Sequence, residues 1–201
     1  GSIGKTYTLE LKEYEYLLNS LGLEYEIMNL YFKPYTCCRW AHPAIEASLS
    51  LINGHKIDIK DIKFINVRTF ISATRLSKIY PKTTDEAQYN ISYPIAVGIV
   101  DGDVGIGQVI DKNLGRQEVL EMMDKINFVV DDEIESKFPD KRLCRVEFMS
   151  NNGRTYLSDE FAPPGEAGDN VDLYWITKKF KRITKGIINS DEQDSILETL
   201  S

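Results

Sequence analysis

The stretch FKPYTCCRWAHP, residues 32–43, predicts a change from an extended segment to a helix. A residue that precedes proline is driven towards extended backbone, so Lys33 ends a strand that we predict over residues 24–33. Pro43 fits a helix only in its first turn, which places the helix start near His42. Such a junction brings backbone donors and side chains together where a ligand can reach them. We therefore expect either a functional site here or a densely packed corner.

Helical and strand patterns alternate along the rest of the chain. Apolar spacing and breaker residues predict helices over 9–20, 42–53 (closed by Gly54), 113–125, 171–180 and 191–200, and a helix from Thr84 that breaks near Ser92-Tyr93 and resumes over 95–100. Strands are predicted over 61–71 and 126–130, and a hairpin over 141–150 and 155–161, joined by Asn151-Asn152-Gly153. We predict one α+β domain over residues 1–201, in which helices cover a mixed or antiparallel sheet of about four strands, and residues 171–201 form a helical tail.

Charge and composition narrow the choice of partners. The chain has 201 residues and carries 24 basic against 31 acidic side chains, a net charge of −7. This balance argues against nucleic acid or an anionic membrane as the main partner, because both require a basic face. No apolar run is long enough to span a bilayer. Three cysteines, two of them adjacent, fit reduced thiols, and we expect a cytoplasmic protein.

The residues of the 32–43 junction fit an anion site with acid–base capacity. Lys33 supplies a movable cation, and Arg39 can hold a carboxylate through two parallel hydrogen bonds. His42 titrates near neutral pH at a helix N-terminus, which adds partial positive charge. These groups can bind a polycarboxylate and move a proton beside one of its carboxylates. The alternative is that both cations are solvated and the cysteines and Trp40 only pack.

Two further features are open to a functional and a structural interpretation. Tyr93, at the predicted helix break, is either a proton donor or a packing aromatic. Cys37, Cys38 and His42 suggest zinc, but adjacent thiols do not both point at one metal ion, and no fourth ligand is specified. We therefore predict no metal site.

Several segments resemble the MmgE/PrpD family, which includes 2-methylcitrate dehydratases, cis-aconitate decarboxylases and iminodisuccinate epimerases. The resemblance covers nearly the whole chain, in the order expected for the family. It rests on Phe32-Lys33-Pro34-Tyr35-x-Cys37-Cys38-Arg39-x-x-His42-Pro43-Ala44-Ile45-x-Ala47, on Glu86-Ala87-Gln88-Tyr89-x-Ile91-x-Tyr93-x-Ile95-Ala96, on Lys141-Arg142-x-x-x-Val146 with Asn152-Gly153-Arg154, and on Pro164-Gly165 with Lys179-Phe180.

The resemblance implies an incomplete active site. Family members are about twice as long, and their site lies in a cleft between a large N-terminal helical domain and a smaller α+β lid. All matching segments belong to the lid and the C-terminal tail, so we expect the helical domain to be absent from this chain. The resemblance implies that Lys33 is the active-site lysine and that His42 and Tyr93 complete the catalytic positions. It further implies substrate contacts from Arg39, Cys38 and Gln88, and no cofactor.

The function implied by the resemblance is that of a lyase fragment. We expect dehydration of a small polycarboxylate, as in 2-methylcitrate dehydratases, by proton abstraction next to a carboxylate, with the fragment inactive alone. Some decarboxylating members have a catalytic histidine where this chain has Cys38, which argues against decarboxylation. The alternatives are an iminodisuccinate epimerase-like isomerase and a non-catalytic binding or assembly module. Besides the substrate, the expected partners are the helical domain of the same protein and, in a homo-oligomer such as a dimer, a second copy.

Overall fold

The computed structural model describes Glu15, residues 18–169 and residues 171–200. The predicted helix over 9–20 lies almost wholly outside these described residues. The predicted strand over 24–33 is wrong, because this segment contains the short 3-10 helix Glu26–Asn29 followed by irregular backbone. Its large apolar side chains are mostly exposed, so their preference for a strand has no packed sheet face to act on.

A four-stranded mixed sheet forms the centre of the domain. Its strands are β1 Ile62–Thr69, β2 Ile126–Val130, β3 Cys144–Ser150 and β4 Thr155–Leu157, in the order β2-β1-β3-β4. β1 runs parallel to β2 and antiparallel to β3, which pairs with β4 through the predicted hairpin. The predicted α+β class and the mixed sheet of about four strands are therefore confirmed.

Helices pack around this sheet. They are α1 His42–His55, α2 Ile71–Thr74, α3 Thr84–Gln88, α4 Ser92–Asp101, α5 Ile106–Val109, α6 Gln117–Asp124, α7 Asp132–Glu135, α8 Leu173–Thr184 and α9 Ser190–Leu200. α1 starts where Pro43 predicted, but it continues through Gly54 to His55, and the next residue, Lys56, caps it in left-handed backbone. The two helices of the predicted tail are both present as α8 and α9.

The break between α3 and α4 lies earlier than predicted. It occupies residues 89–91, whereas Ser92 and Tyr93 already belong to α4. Pro94 is the third residue of α4. N–H groups in the first turn of a helix have no acceptor within the helix, so a proline here removes no helical hydrogen bond. The side chain of Asn90 accepts a hydrogen bond from the Tyr93 N–H at 2.8 Å and so satisfies one free donor at this helix start.

The main core lies between the sheet and the helices α1, α4 and α6. α1 packs against α4 and β3, and α4 packs against α6. Gly98 of α4 allows the close approach to α1, because a Cβ there would lie 3.1 Å from a methyl carbon of Ile45. A second, aromatic cluster holds the chain just before α1, where Trp40 meets Phe70 edge-on at 5.6 Å and Phe138 at 6.1 Å.

Candidate functional site

The segment that leads into α1 is held by single backbone hydrogen bonds to three distant parts of the chain. The Phe32 N–H donates to the carbonyl of Gly165 at 2.8 Å, and the Thr36 N–H donates to that of Val104 at 2.9 Å. The Cys38 N–H donates at 2.7 Å to the carbonyl of Gln88, the last residue of α3. Because Gln88 ends α3, its carbonyl receives no hydrogen bond from within the helix, and the Cys38 N–H supplies one instead. This bond also holds the end of α3 beside the 32–43 segment.

A small open cavity lies between this segment and the end of α3. Its volume is about 210 Å³, and it is lined by Lys33, Tyr35, Thr36, Cys37, Cys38, Gln88 and Tyr89. Three of the predicted site residues, Lys33, Cys38 and Gln88, therefore meet in one place. Lys33 is exposed and forms no hydrogen bond or ion pair with a described residue, so none of these residues competes with a ligand for its ammonium group.

Arg39 does not line the cavity, because it turns into the protein. Only 4% of its surface is exposed, and its guanidinium pairs with the carboxylate of Glu166 at 2.9 Å. It also donates to the backbone carbonyls of Phe32 (3.4 Å), Pro164 (3.2 Å) and Pro163 (3.3 Å). In this geometry Arg39 fixes the loop around residues 163–166 to the residue before Lys33, and its predicted contact with substrate stays a prediction.

His42 is fully buried at the first position of α1. Its Nε2 lies 3.3 Å from the carbonyl oxygen of Cys37, and its ring meets that of Tyr35 edge-on at 5.3 Å. Nδ1 has no partner among the described residues. Burial lowers the pKa of His42 to about 3; the Cys37 carbonyl opposes this, and the charges of Arg39, Lys33 and Lys179 add to it. The imidazole is therefore neutral at physiological pH, and its catalytic role stays a prediction.

Tyr93 is also buried and does not line the cavity. Its hydroxyl donates to the carbonyl oxygen of Gln108 at 2.8 Å, and burial raises its pKa. This geometry fits the packing alternative for Tyr93, and its role as a proton donor stays a prediction.

The paired thiols differ in their surroundings. Cys37 is buried, which raises the pKa of its thiol, whereas Cys38 is half-buried and faces the cavity. Among the residues that the structure describes, no three His, Cys, Asp or Glu side chains come together as a metal site.

Sequence reasoning missed three cavity residues as site candidates. Tyr89 directly follows Gln88, the last residue of α3. This position beside a predicted site residue is the signal that could have identified it. Tyr35 and Thr36 lie inside the 32–43 stretch. The Tyr35 hydroxyl donates to Glu46 of α1 at 2.7 Å, and burial, followed by the charge of Glu46, raises the pKa of Tyr35. Tyr35 thereby holds the cavity wall to the helix.

Comparison with known proteins identifies the family. A family model for the MmgE/PrpD C-terminal domain matches residues 35–201, while a comparison with curated proteins found no match. The match begins two residues after Lys33. Within the described part of the chain, no helix is long and apolar enough to cross a membrane. Because the family model matches most of its length, the chain belongs to the MmgE/PrpD family and carries the C-terminal domain of that family.

Proposed function

We propose that this chain is the lid portion of a cofactor-independent lyase that acts on a small polycarboxylate, as 2-methylcitrate dehydratases do. The observation that carries the proposal is that the exposed ammonium group of Lys33, which has no partner among the described residues, lies at an open cavity of about 210 Å³ in a member of this family. A carboxylate is the ligand that an exposed, unpaired ammonium and a neighbouring amide such as Gln88 favour.

The proposed reaction is the loss of water across a carbon–carbon bond. A base removes the proton from the carbon next to a substrate carboxylate, the electrons of that C–H bond form a C=C bond, and the hydroxyl group on the neighbouring carbon leaves as water after taking up a proton. Negative charge builds up on the carboxylate during proton removal, so a cation beside it lowers the barrier. Lys33 supplies that cation, and the acid–base partners absent from its cavity come from the helical domain.

We further propose that the helical domain covers the apolar surface that precedes Lys33. Leu21, Leu23 and Met28 are each 72–80% exposed, which is unusual for side chains of this size. Without that cover we expect this chain to associate with a second copy of itself. The three cysteines are free thiols, which supports our placing the protein in the cytoplasm.

The test compares the isolated chain with a protein in which a family helical domain precedes it. Both are assayed with 2-methylcitrate, cis-aconitate and iminodisuccinate. We expect no turnover by the isolated chain, and dehydration of 2-methylcitrate by the longer protein. Lys33→Ala should then lower kcat/KM by about 10²-fold or more, the scale of a group that acts in the transition state.

Lys63→Ala is the matched control, because Lys63 is an exposed lysine of β1 that does not line the cavity. Equal activity of the Lys33 and Lys63 variants, or robust turnover by the isolated chain, would contradict the proposal. Conversion of iminodisuccinate alone would replace the lyase by the epimerase alternative.

A further inference from the structure

A second cavity, of about 180 Å³, lies beside Pro34, the residue that follows Lys33. It is lined by Pro34 and by four residues of α8: Trp175, Lys178, Lys179 and Arg182. The spacing of these four residues places them on one face of the helix. Lys33 and Tyr35 line the first cavity while Pro34 lines the second, so the two cavities flank the same short piece of backbone.

The charges around the second cavity are only partly compensated. Arg182 pairs with Asp103 at 2.6 Å and donates to the carbonyl of Pro34, so it is already occupied and joins α8 to the segment beside Lys33. Lys178 lies over the ring of Tyr174, with its ammonium 4.5 Å from the ring centroid. Lys179 forms no hydrogen bond or ion pair with a described residue.

Lys179 is half-buried, and its surroundings disfavour its charge. Burial and the charge of Arg182 lower its pKa. Two lysines and an arginine on one helical face repel each other, and a single aspartate does not balance them. A protein with a net charge of −7 therefore concentrates uncompensated positive charge next to its Lys33 cavity. An anion in the second cavity would relieve this repulsion.

We propose that the cavity formed by Pro34, Trp175, Lys178 and Lys179 is an anion subsite that takes a carboxylate group. The inference rests on the proposed function. A polycarboxylate that binds Lys33 through one carboxylate has further carboxylates, and each of these requires a cation of its own. A separate small acid offers the same chemistry, and the experiment distinguishes the two sources. Lys178 and Lys179 are the ligands, and Trp175 forms the apolar wall.

The indole of Trp175 is a built-in sensor for this site. The chain has two tryptophans, so an NH correlation NMR spectrum contains two indole signals, and Trp40→Phe assigns them. The isolated chain is titrated at constant ionic strength with tricarballylate, a tricarboxylate that lacks the hydroxyl group needed for dehydration, and separately with acetate. We expect a saturable shift of the Trp175 signal with tricarballylate.

Lys179→Gln should weaken that binding about tenfold, as expected for the loss of one charged hydrogen bond. Lys178→Gln, at an exposed position, is the second variant and should weaken it in the same direction. Lys181→Ala is the control, because Lys181 lies on the same helix but pairs with Asp194 at 2.5 Å. Its affinity for tricarballylate should equal that of the wild type.

The Lys33→Ala variant separates this inference from the proposed function. If it also weakens tricarballylate binding at Trp175, one substrate molecule spans both cavities. If it has no effect while Lys179→Gln does, or if acetate binds as tightly as tricarballylate, the subsite is supported and takes a separate acid. A Trp175 signal that does not saturate, or that responds equally in the Lys179 and Lys181 variants, overturns the subsite even where Lys33 proves essential for turnover.

Discussion

Gly165 controls the position of Lys33 through the residue that precedes it. Its φ of +89° lies in the left-handed region, and its carbonyl accepts the hydrogen bond from the Phe32 N–H at 2.8 Å. A Cβ at this position would overlap the carbonyl oxygen of Phe32 and lie 3.2 Å from the carbonyl carbon. Because both groups are backbone, Gly165→Ala has to move the loop or the 32–38 segment.

The expected cost of Gly165→Ala is about 2–4 kcal/mol of unfolding free energy. A left-handed alanine costs about 1–2 kcal/mol, and the loss of the Phe32 hydrogen bond adds about 1 kcal/mol. Weaker bonds from Arg39 to the carbonyls of Phe32 and Pro164 account for the upper part of the range. Urea unfolding, followed by circular dichroism, measures this cost.

Two other glycines separate the cost of left-handed backbone from the cost of the lost contact with Phe32. Gly153 has a φ of +83° but open space around it, so Gly153→Ala should cost only the backbone term of about 1–2 kcal/mol. Gly168 has neither a positive φ nor a close neighbour, so Gly168→Ala should change stability by less than about 1 kcal/mol. Only Gly165→Ala should also weaken tricarballylate binding. If it proves no more destabilising than Gly153→Ala, the contact between residues 163–166 and Phe32 does not hold the segment, and the reasoning fails.

Two further predictions concern the buried candidates. His42 has a pKa of about 3 in the folded chain, against an ordinary value of 6.5. Between these pH values the imidazole is protonated in the unfolded chain but not in the folded one. The free energy of unfolding therefore falls as the pH drops below about 6.5. Urea unfolding at a series of pH values should show a slope for His42→Gln that is flatter by up to about 1.4 kcal/mol per pH unit, and equal slopes would refute the neutral imidazole. Tyr93→Phe should cost about 1 kcal/mol of unfolding free energy, because the Gln108 carbonyl loses its hydrogen-bond donor. We expect kcat of the longer protein to stay nearly unchanged, as the packing alternative requires, whereas a loss of about 10²-fold would support the predicted proton-donor role.

Much of the fold could be predicted because its determinants are local. Pro43 defined the start of α1, Asn151-Asn152-Gly153 the turn of the hairpin, and the β-branched run 126–130 the strand β2. The strand predicted over 24–33 failed for a non-local reason. A strand needs a neighbour to receive its hydrogen bonds, and among the described residues no sheet edge pairs with this segment.

The same division applies to the site. Lys33, Cys38 and Gln88 could be predicted as site residues because their motifs carry the family resemblance, and the structure brings all three to one cavity. The cation group on α8 could not be predicted to lie there, because it reaches the segment only through the folding of distant parts of the chain.

By itself, the sequence determined the family and the α+β class, and it predicted a functional site at the 32–43 stretch. Only the tertiary structure decided which of its side chains face outward. Arg39 turns inward because its carboxylate partner, Glu166, lies 127 residues further along the chain, and His42 is buried against Tyr35. Local sequence sets backbone preferences, whereas the partner and the solvation of a charged side chain depend on contacts that form only when the chain folds. Lys33 remains exposed at one cavity, and the adjacent Pro34 lines a second cavity together with the cations of α8.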